Sequence, residues 1–395
     1  MSHRHNLITA TLLVAGLMCC QSTLANDVVH VSSPFGLVQS ASAELPPGPV
    51  FAWGDNSVGQ TNVPANLGEV VAIAAGSMHS LALRSDGSVV GWGSNGYEEL
   101  TQLPSVTNVA AIAAGNQSTA ILLSNGNART WGYVTIPLEL TNITSVAAGP
   151  EYFLFLDRDG KAFAWGHSGF TPSPPESATN LIAIAAGHNH SLGIATDGSL
   201  VSWGDDTYGQ ALLPTTDPGF VDIAAGQRFS LALHGEGRIL AWGNNNLGQT
   251  NVPAAATNIV AISAGPTHAM ALRQDGRVFV WGDLNFGRGI VPEGLTFATA
   301  IAAGYEHNLA AQGSGALRFV RHPRNRTLSA GERTVLSGYA SGAGPIVYQW
   351  THNGTVIVGA TNAQFIIADS QDWDAGGYTL LASHSAGAIT SAVAV

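Results

Sequence analysis

Cysteine is almost absent from this chain, and lysine more so. Cys19 and Cys20 are the only two cysteines in 395 residues, and Lys161 is the only lysine. Both cysteines fall in a leader, residues 1–25, which has a basic start at Arg4, an apolar core from Leu7 to Met18 and a small residue at Ala25. That order reads as a secretory signal, and the core is short of the ~20 apolar residues a membrane span needs. Removing it leaves no thiol, which excludes disulfides, thiolate metal sites and a cysteine nucleophile. It also leaves 14 basic residues (15 less Arg4) against 26 acidic ones, a net charge of −12. Nucleic acid and anionic membranes attract clustered positive charge, so neither is an expected partner. No stretch carries a helical period, and there is no nucleophile motif, phosphate loop or catalytic dyad. The chain therefore reads as all-β and non-enzymatic, with no cofactor and no metal.

What is abundant is repetition. A small pair plus glycine ends at Gly76, Gly115, Gly149, Gly187, Gly226, Gly265 and Gly304, and a Trp-Gly pair begins at Trp53, Trp92, Trp131, Trp165, Trp203, Trp242 and Trp281. Successive tryptophans lie 39, 39, 34, 38, 39 and 39 residues apart, a period that marks solenoids and propellers. In VVAIAAGSMHSLALRSDGSVVGWG (70–93) two small-apolar runs and a third, SVVGWG, read as three strands. The last two are joined by an expected two-residue hairpin turn at Asp86-Gly87 and its copies, down to a weak one at Ser314-Gly315. A short fourth strand has room around Gln60 to Pro64. The first Trp-Gly precedes any Ala-Ala-Gly and the last Ala-Ala-Gly has no Trp-Gly after it, so half a unit sits at each end. Pairing these halves gives a seven-bladed β-propeller closed by strand exchange, with no open sheet edge.

The segments WGDNSVGQTNVP, AAGSMHSLAL and WGNNNLGQTNVP resemble repeats of the regulator of chromosome condensation family of seven-bladed propellers. The short repeat is similar to that of the secreted bacterial member that inhibits β-lactamases. This resemblance implies a rigid platform that binds proteins through loops on its faces. The nuclear nucleotide-exchange role of the family does not carry over to an acidic chain with a leader.

Residues 26–49 have linker composition, and residues 50–318 are the expected propeller. From 319 to 395 the chain resembles an immunoglobulin-like β-sandwich. VYQWTHNG puts Trp350 on a central strand, DAGGYTL puts Tyr378 two residues before Leu380, and Leu336 and Leu380 stand at the family's disulfide positions. Between the two, Arg318, Arg321, His322, Arg324 and Arg326 read as a solvated basic linker.

Within the repeat most residues explain themselves. The tryptophans read as wedges between blades. His79, His190, His268 and His307 share one column, as residues bonded to a neighbouring backbone group would, and a His188/His190 metal pair is the weaker reading. The Asn and Asp residues after Trp-Gly read as turn formers. The pairs after Ala-Ala-Gly do vary, and strand direction puts them on the same face as the segments after Trp-Gly. That variable face is the expected binding surface. Its candidate contacts are Tyr305 and Arg228, with Met78, Gln117, Tyr152 and His188 near the axis and Tyr97 and Tyr208 farther out. Tyr133, Phe170 and Phe229 gather there too, Tyr152 and Phe229 share the histidine column and so read as half-buried, and a shortened loop after Trp131-Gly132 should notch the rim. The expected protein is a secreted, periplasmic or surface-exposed monomer that binds a protein or glycan. The alternatives are an inhibitor of a secreted or periplasmic enzyme and a carbohydrate-active enzyme.

Overall fold

In the computed structural model the described residues are 31–33, 36–38, 49–136, 140–166, 171–313, 317–326, 328–341, 346–384 and 387–395. They fold entirely as β-structure apart from three short 3₁₀ turns. The repeat builds a three-stranded antiparallel sheet each time. In the first full unit Val70–Ala75 pairs with His79–Arg84, which pairs with Val89–Gly93. Six further sheets have this order, and the last joins Ala298–Ala303, His307–Gln312 and Val50–Gly54, with Trp53 opposite Asn308. No fourth strand forms around Gln60 among the described residues.

The Ala-Ala-Gly runs are buried on both faces because they converge. A Cβ at Gly76 would stand 2.6 Å from the Gly115 carbonyl oxygen, and Gly115, Gly149, Gly187, Gly226 and Gly265 each meet the next glycine's carbonyl in the same way. The series returns to its start, since a Cβ at Gly304 would lie 2.7 Å from the Gly76 oxygen. Real Cβ atoms do not make such approaches to backbone, so glycine is sterically required at this column. Two short strands in the stretch read as linker, Val31–Ser33 and Gly36–Val38, pair with each other and run within 8 Å (Cα to Cα) of the first strands of all seven units.

The Asp-Gly turns differ from the two-residue hairpin expected. Gly87 N–H donates to the Arg84 carbonyl (3.0 Å) and only Gly87 has positive φ (78°), which is a type I turn closed by a left-handed glycine. The aspartate accepts from the backbone two residues on, as Asp86 does from Ser88 N–H at 2.9 Å. The Ser314-Gly315 turn lies outside the described residues.

Of the seven Trp-Gly tryptophans of the repeats, Trp53, Trp92, Trp203, Trp242 and Trp281 are buried, but Trp165 is 44% exposed. Trp165 is the one that follows the shortened loop, and its indole donates to Thr135 O (3.1 Å) of that loop. Fewer residues there leave its ring uncovered.

The C-terminal residues form a four-stranded sheet (Thr355–Val356, Val347–His352, Tyr378–His384, Gly387–Thr390) and two two-stranded ones. Trp350 is fully buried opposite Leu380, its indole donating to Asn362 O (2.9 Å), and the Tyr378 hydroxyl donates to Asp374 O (2.8 Å). These sheets seat on the turn side of the repeat region. Gln274 donates to the Tyr348 hydroxyl (2.9 Å), Arg326 to Thr196 O (3.0 Å), and the Tyr339 hydroxyl to Gly235 O. The basic junction is consequently not a solvated linker. Arg318 is buried, and Arg321 is packed away with its Nη2 3.2 Å from the Asp222 carboxylate.

Candidate functional site

The loops of the variable face are held by a clasp that repeats between adjacent sheets. The Gln60 carbonyl accepts from Trp92 Nε1 (2.9 Å) and from Ser80 Oγ (2.8 Å), and with its proton so committed Ser80 accepts from His307 Nε2 at 2.9 Å. Gln210, Trp242, Ser230 and His190 repeat this arrangement. Where Val50–Gly54 pairs with His307–Gln312, Trp53 and Asn308 both donate to Arg288 O, and Asn308 accepts from His268 Nε2 at 2.7 Å. The histidine column thus bonds to side chains of the next sheet, where a backbone partner had been expected. Burial pulls His79, His190 and His268 down to about 4 and His307 to about 3, so all four are neutral at physiological pH.

The same loops present their own side chains outward. The Gln60 amide accepts from Val58 N–H (3.0 Å) and donates to Asp55 (2.7 Å), and Gln210 and Gln249 do likewise beneath Tyr208 and Leu247. The backbone of that column is therefore structural, whereas its side chains face solvent. Val58, Tyr97, Tyr208, Leu247 and Phe286 are each 40% or more exposed at equivalent positions, with Met78, Tyr133 and Leu284 also exposed. One exposed apolar group thus recurs at the same point of each of these loops.

At the axis a depression of about 160 Å³ is lined by Asn116, Pro150, Glu151, His188, Gln227, Pro266 and Tyr305. These are the first or second residues after the converging glycines. Tyr305 is positioned from below by Arg288, which is buried, donates to Tyr305 O (3.0 Å) and pairs with Asp283 at 2.7 Å. Beside it the Glu306 carboxyl is raised by burial, which Asp55 and Asp283 reinforce against Arg288.

Of the residues singled out from sequence, His188 and Tyr305 meet in this depression. Met78 and Arg228 are exposed and Gln117 is half-buried, and none of the three lines it. Arg228 lies 4.6 Å over the Tyr208 ring and donates to its hydroxyl (3.1 Å), which makes the two one surface unit. Tyr97 is packed edge-on against Tyr133, with centroids 5.7 Å apart. Tyr152 is a correction: it is buried in the histidine column and its hydroxyl donates to His190 O (2.8 Å), so it is no surface contact. Phe229 is buried in the same way, and Phe170 lies outside the described residues. Asn116, Glu151 and Gln227 belong to the variable pairs after the glycines but are not among the candidate contacts named from sequence, and Val58, Leu247 and Phe286 are not either, because their column repeats. No group of three potential metal ligands occurs among the described residues, and His188 Nδ1 instead lies 2.8 Å from Asn189 Oδ1.

Four stretches, residues 70–99, 181–210, 220–249 and 259–288, match the Regulator of chromosome condensation (RCC1) repeat. No curated protein matches the chain. Among solved structures, Prp20p from Saccharomyces cerevisiae aligns with a TM-score of 0.57 and 20% identity over 69% of this chain and 94% of that one. Human WBSCR16 aligns at 0.53 and 16%, covering 68% of this chain and 100% of that one. The ectodomain of the Arabidopsis thaliana receptor kinase ACR4 aligns at 0.52 and 18%, covering 69% and 98%. Likeness at this identity establishes the fold, an RCC1-like β-propeller.

Proposed function

We propose that this chain is an exported, non-enzymatic binding protein: a seven-bladed propeller, closed by the pairing of Val50–Gly54 with His307–Gln312, carrying an immunoglobulin-like module. Its variable face takes a protein partner outside the cytoplasm. The observation that carries this reading is the sidedness of the molecule. The turn side is occupied at Thr196, Gly235 and Gln274 by the C-terminal sheets, whereas the opposite side bears the exposed apolar rim and the axial depression. Protein interfaces draw much of their energy from a few aromatic and arginine anchors surrounded by less energetic contacts, and Tyr305, Tyr208 and Arg228 have that chemistry. Prp20p, whose published description concerns its binding to Gsp1p and histones, supports a protein-binding use of the fold. Inhibition of a secreted or periplasmic enzyme is the specific form of this activity favoured by the leader and the short repeats. A glycosidase reading fits less well, since Glu151 is the only carboxylate among the residues lining the depression and such chemistry needs two.

The test is capture of partners from the producing cell's secreted and envelope fraction by the mature chain and by variants. Tyr305→Ala and Arg228→Ala should each weaken a captured partner ~10-fold, about 1.4 kcal/mol, with melting unchanged. Ser85→Ala, on an unoccupied turn of the other side, should have no effect. Loss of affinity with the turn substitution alone would overturn the assignment of the face.

A further inference from the structure

Glu151 is among the described residues that line the axial depression, and no lysine or arginine is. The volume of about 160 Å³ is space for on the order of ten water-sized particles. That accommodates one long side chain, and it is less than the roughly 300 to 1,000 Å³ of sites that enclose a whole small ligand. The backbone around it is poor in donors. Pro150 and Pro266 have no N–H, and the N–H groups of His188, Gln227 and Tyr305 are spent on the carbonyls of Gly226 (3.3 Å), Pro266 (3.1 Å) and Gly76 (3.1 Å). Free backbone N–H groups, the usual cradle for an anion, are therefore lacking at these five positions.

Charge points the same way. Beside Tyr305, Asp55 and Asp283 lie close enough to Glu306 to act on its carboxyl, and the cation among them, Arg288, is buried and committed to Asp283 and to Tyr305 O. The rim loops add Glu98 and Asp206, both exposed, against Arg228, which lies over Tyr208. Carboxylates thus outnumber cations on the described part of this face. We infer, resting on the reading of this face as the protein-binding one, that the partner inserts a lysine or arginine side chain into the depression, its cationic head meeting Glu151 and its stem lying on the Tyr305 ring. The acidic surround steers a basic partner, so that the encounter slows as salt rises. A neutral sugar gains nothing from this field, and an acidic one is repelled.

Crystals of the full chain soaked in n-butylammonium, n-propylguanidinium, n-butanol or glucose test the depression without a partner. Density is expected for a cation, with a nitrogen within hydrogen-bonding distance of the Glu151 carboxylate, and for neither neutral probe. A depression left empty by both cations would overturn the inference, as would equal occupancy by n-butanol or occupancy by glucose alone. With the partner captured as above, Glu151→Gln should weaken binding ~10-fold or more with melting unchanged, and the affinity should fall as salt is raised. If Tyr305→Ala weakens the partner and Glu151→Gln does not, the cationic anchor is wrong while the assignment of the face stands. If neither weakens it, the assignment of the face itself fails.

Discussion

Lowering the pH from 7 to 5 should weaken this fold steeply, because four imidazoles in the clasps are buried as neutral groups. Protonation would add a charge at Nδ1, which has no acceptor at His79, His190 and His307. In the unfolded chain each histidine takes up its proton near pH 6.5. In the folded chain it resists until about 4 for His79, His190 and His268, and until about 3 for His307. These are folded values below the unfolded one, so the unfolded state binds more protons across that window. The stabilisation is fully present above pH 6.5 and is lost as the pH falls towards 4. Asp222 acts the other way, because burial pushes its carboxyl up to about 6 and so offsets roughly one histidine. These five groups together take up about three protons on unfolding near pH 5, a slope of about 4 kcal/mol per pH unit. Urea midpoints followed by tryptophan fluorescence at half-unit steps of pH measure it. His190→Gln, which can still donate to Ser230, should reduce the slope by about one proton, about 1.4 kcal/mol per pH unit. A midpoint constant between pH 7 and 5 would refute the neutral, buried clasp.

Three further outcomes rest on packing. Gly304→Ala, which forces a methyl to within 2.7 Å of the Gly76 carbonyl, should cost about 2 kcal/mol or more, whereas Gly96→Ala, with only Ser94 Oγ nearby at 3.9 Å, should be close to neutral in the same denaturation assay. Trp242→Ala should cost about 3 to 5 kcal/mol as a buried truncation, and the exposed Trp165→Ala much less; equal costs would mean that the shortened loop does not uncover Trp165. Deleting Val50–Gly54 should lower the melting temperature by many degrees, since it strips the third strand from the sheet of Ala298–Ala303 and His307–Gln312. An unchanged melting temperature would sink the proposed closure.

The units were legible because their constraint repeats. Converging glycines, left-handed turn glycines and wedge tryptophans recur at a fixed spacing that no helix or linker would produce, and the three-stranded sheets follow from them. Side-chain destinations were less legible. Tyr152 is among the aromatics gathered on the binding face, its place in the histidine column suggests half-burial, and the structure goes further by burying it fully with its hydroxyl on His190 O. The Val58, Leu247 and Phe286 column erred in the opposite direction. Its periodicity suggests structure, and the structural part is the backbone N–H held by the glutamine two residues on, while the side chain is free to vary. The arginine junction misled for a third reason, since composition shows charge but not the sheets that bury it.

The central claim is that one face of the propeller binds and the other is spoken for. Hydrogen exchange on the mature chain, with and without a partner captured as above, tests it most directly. Protection is expected at residues 55–60, 205–210, 244–249, 283–288 and 305–306, which form the rim and the mouth of the depression. Protection confined to the Asp-Gly turns at 86, 125 and 159, or to the C-terminal sheets, would contradict the account.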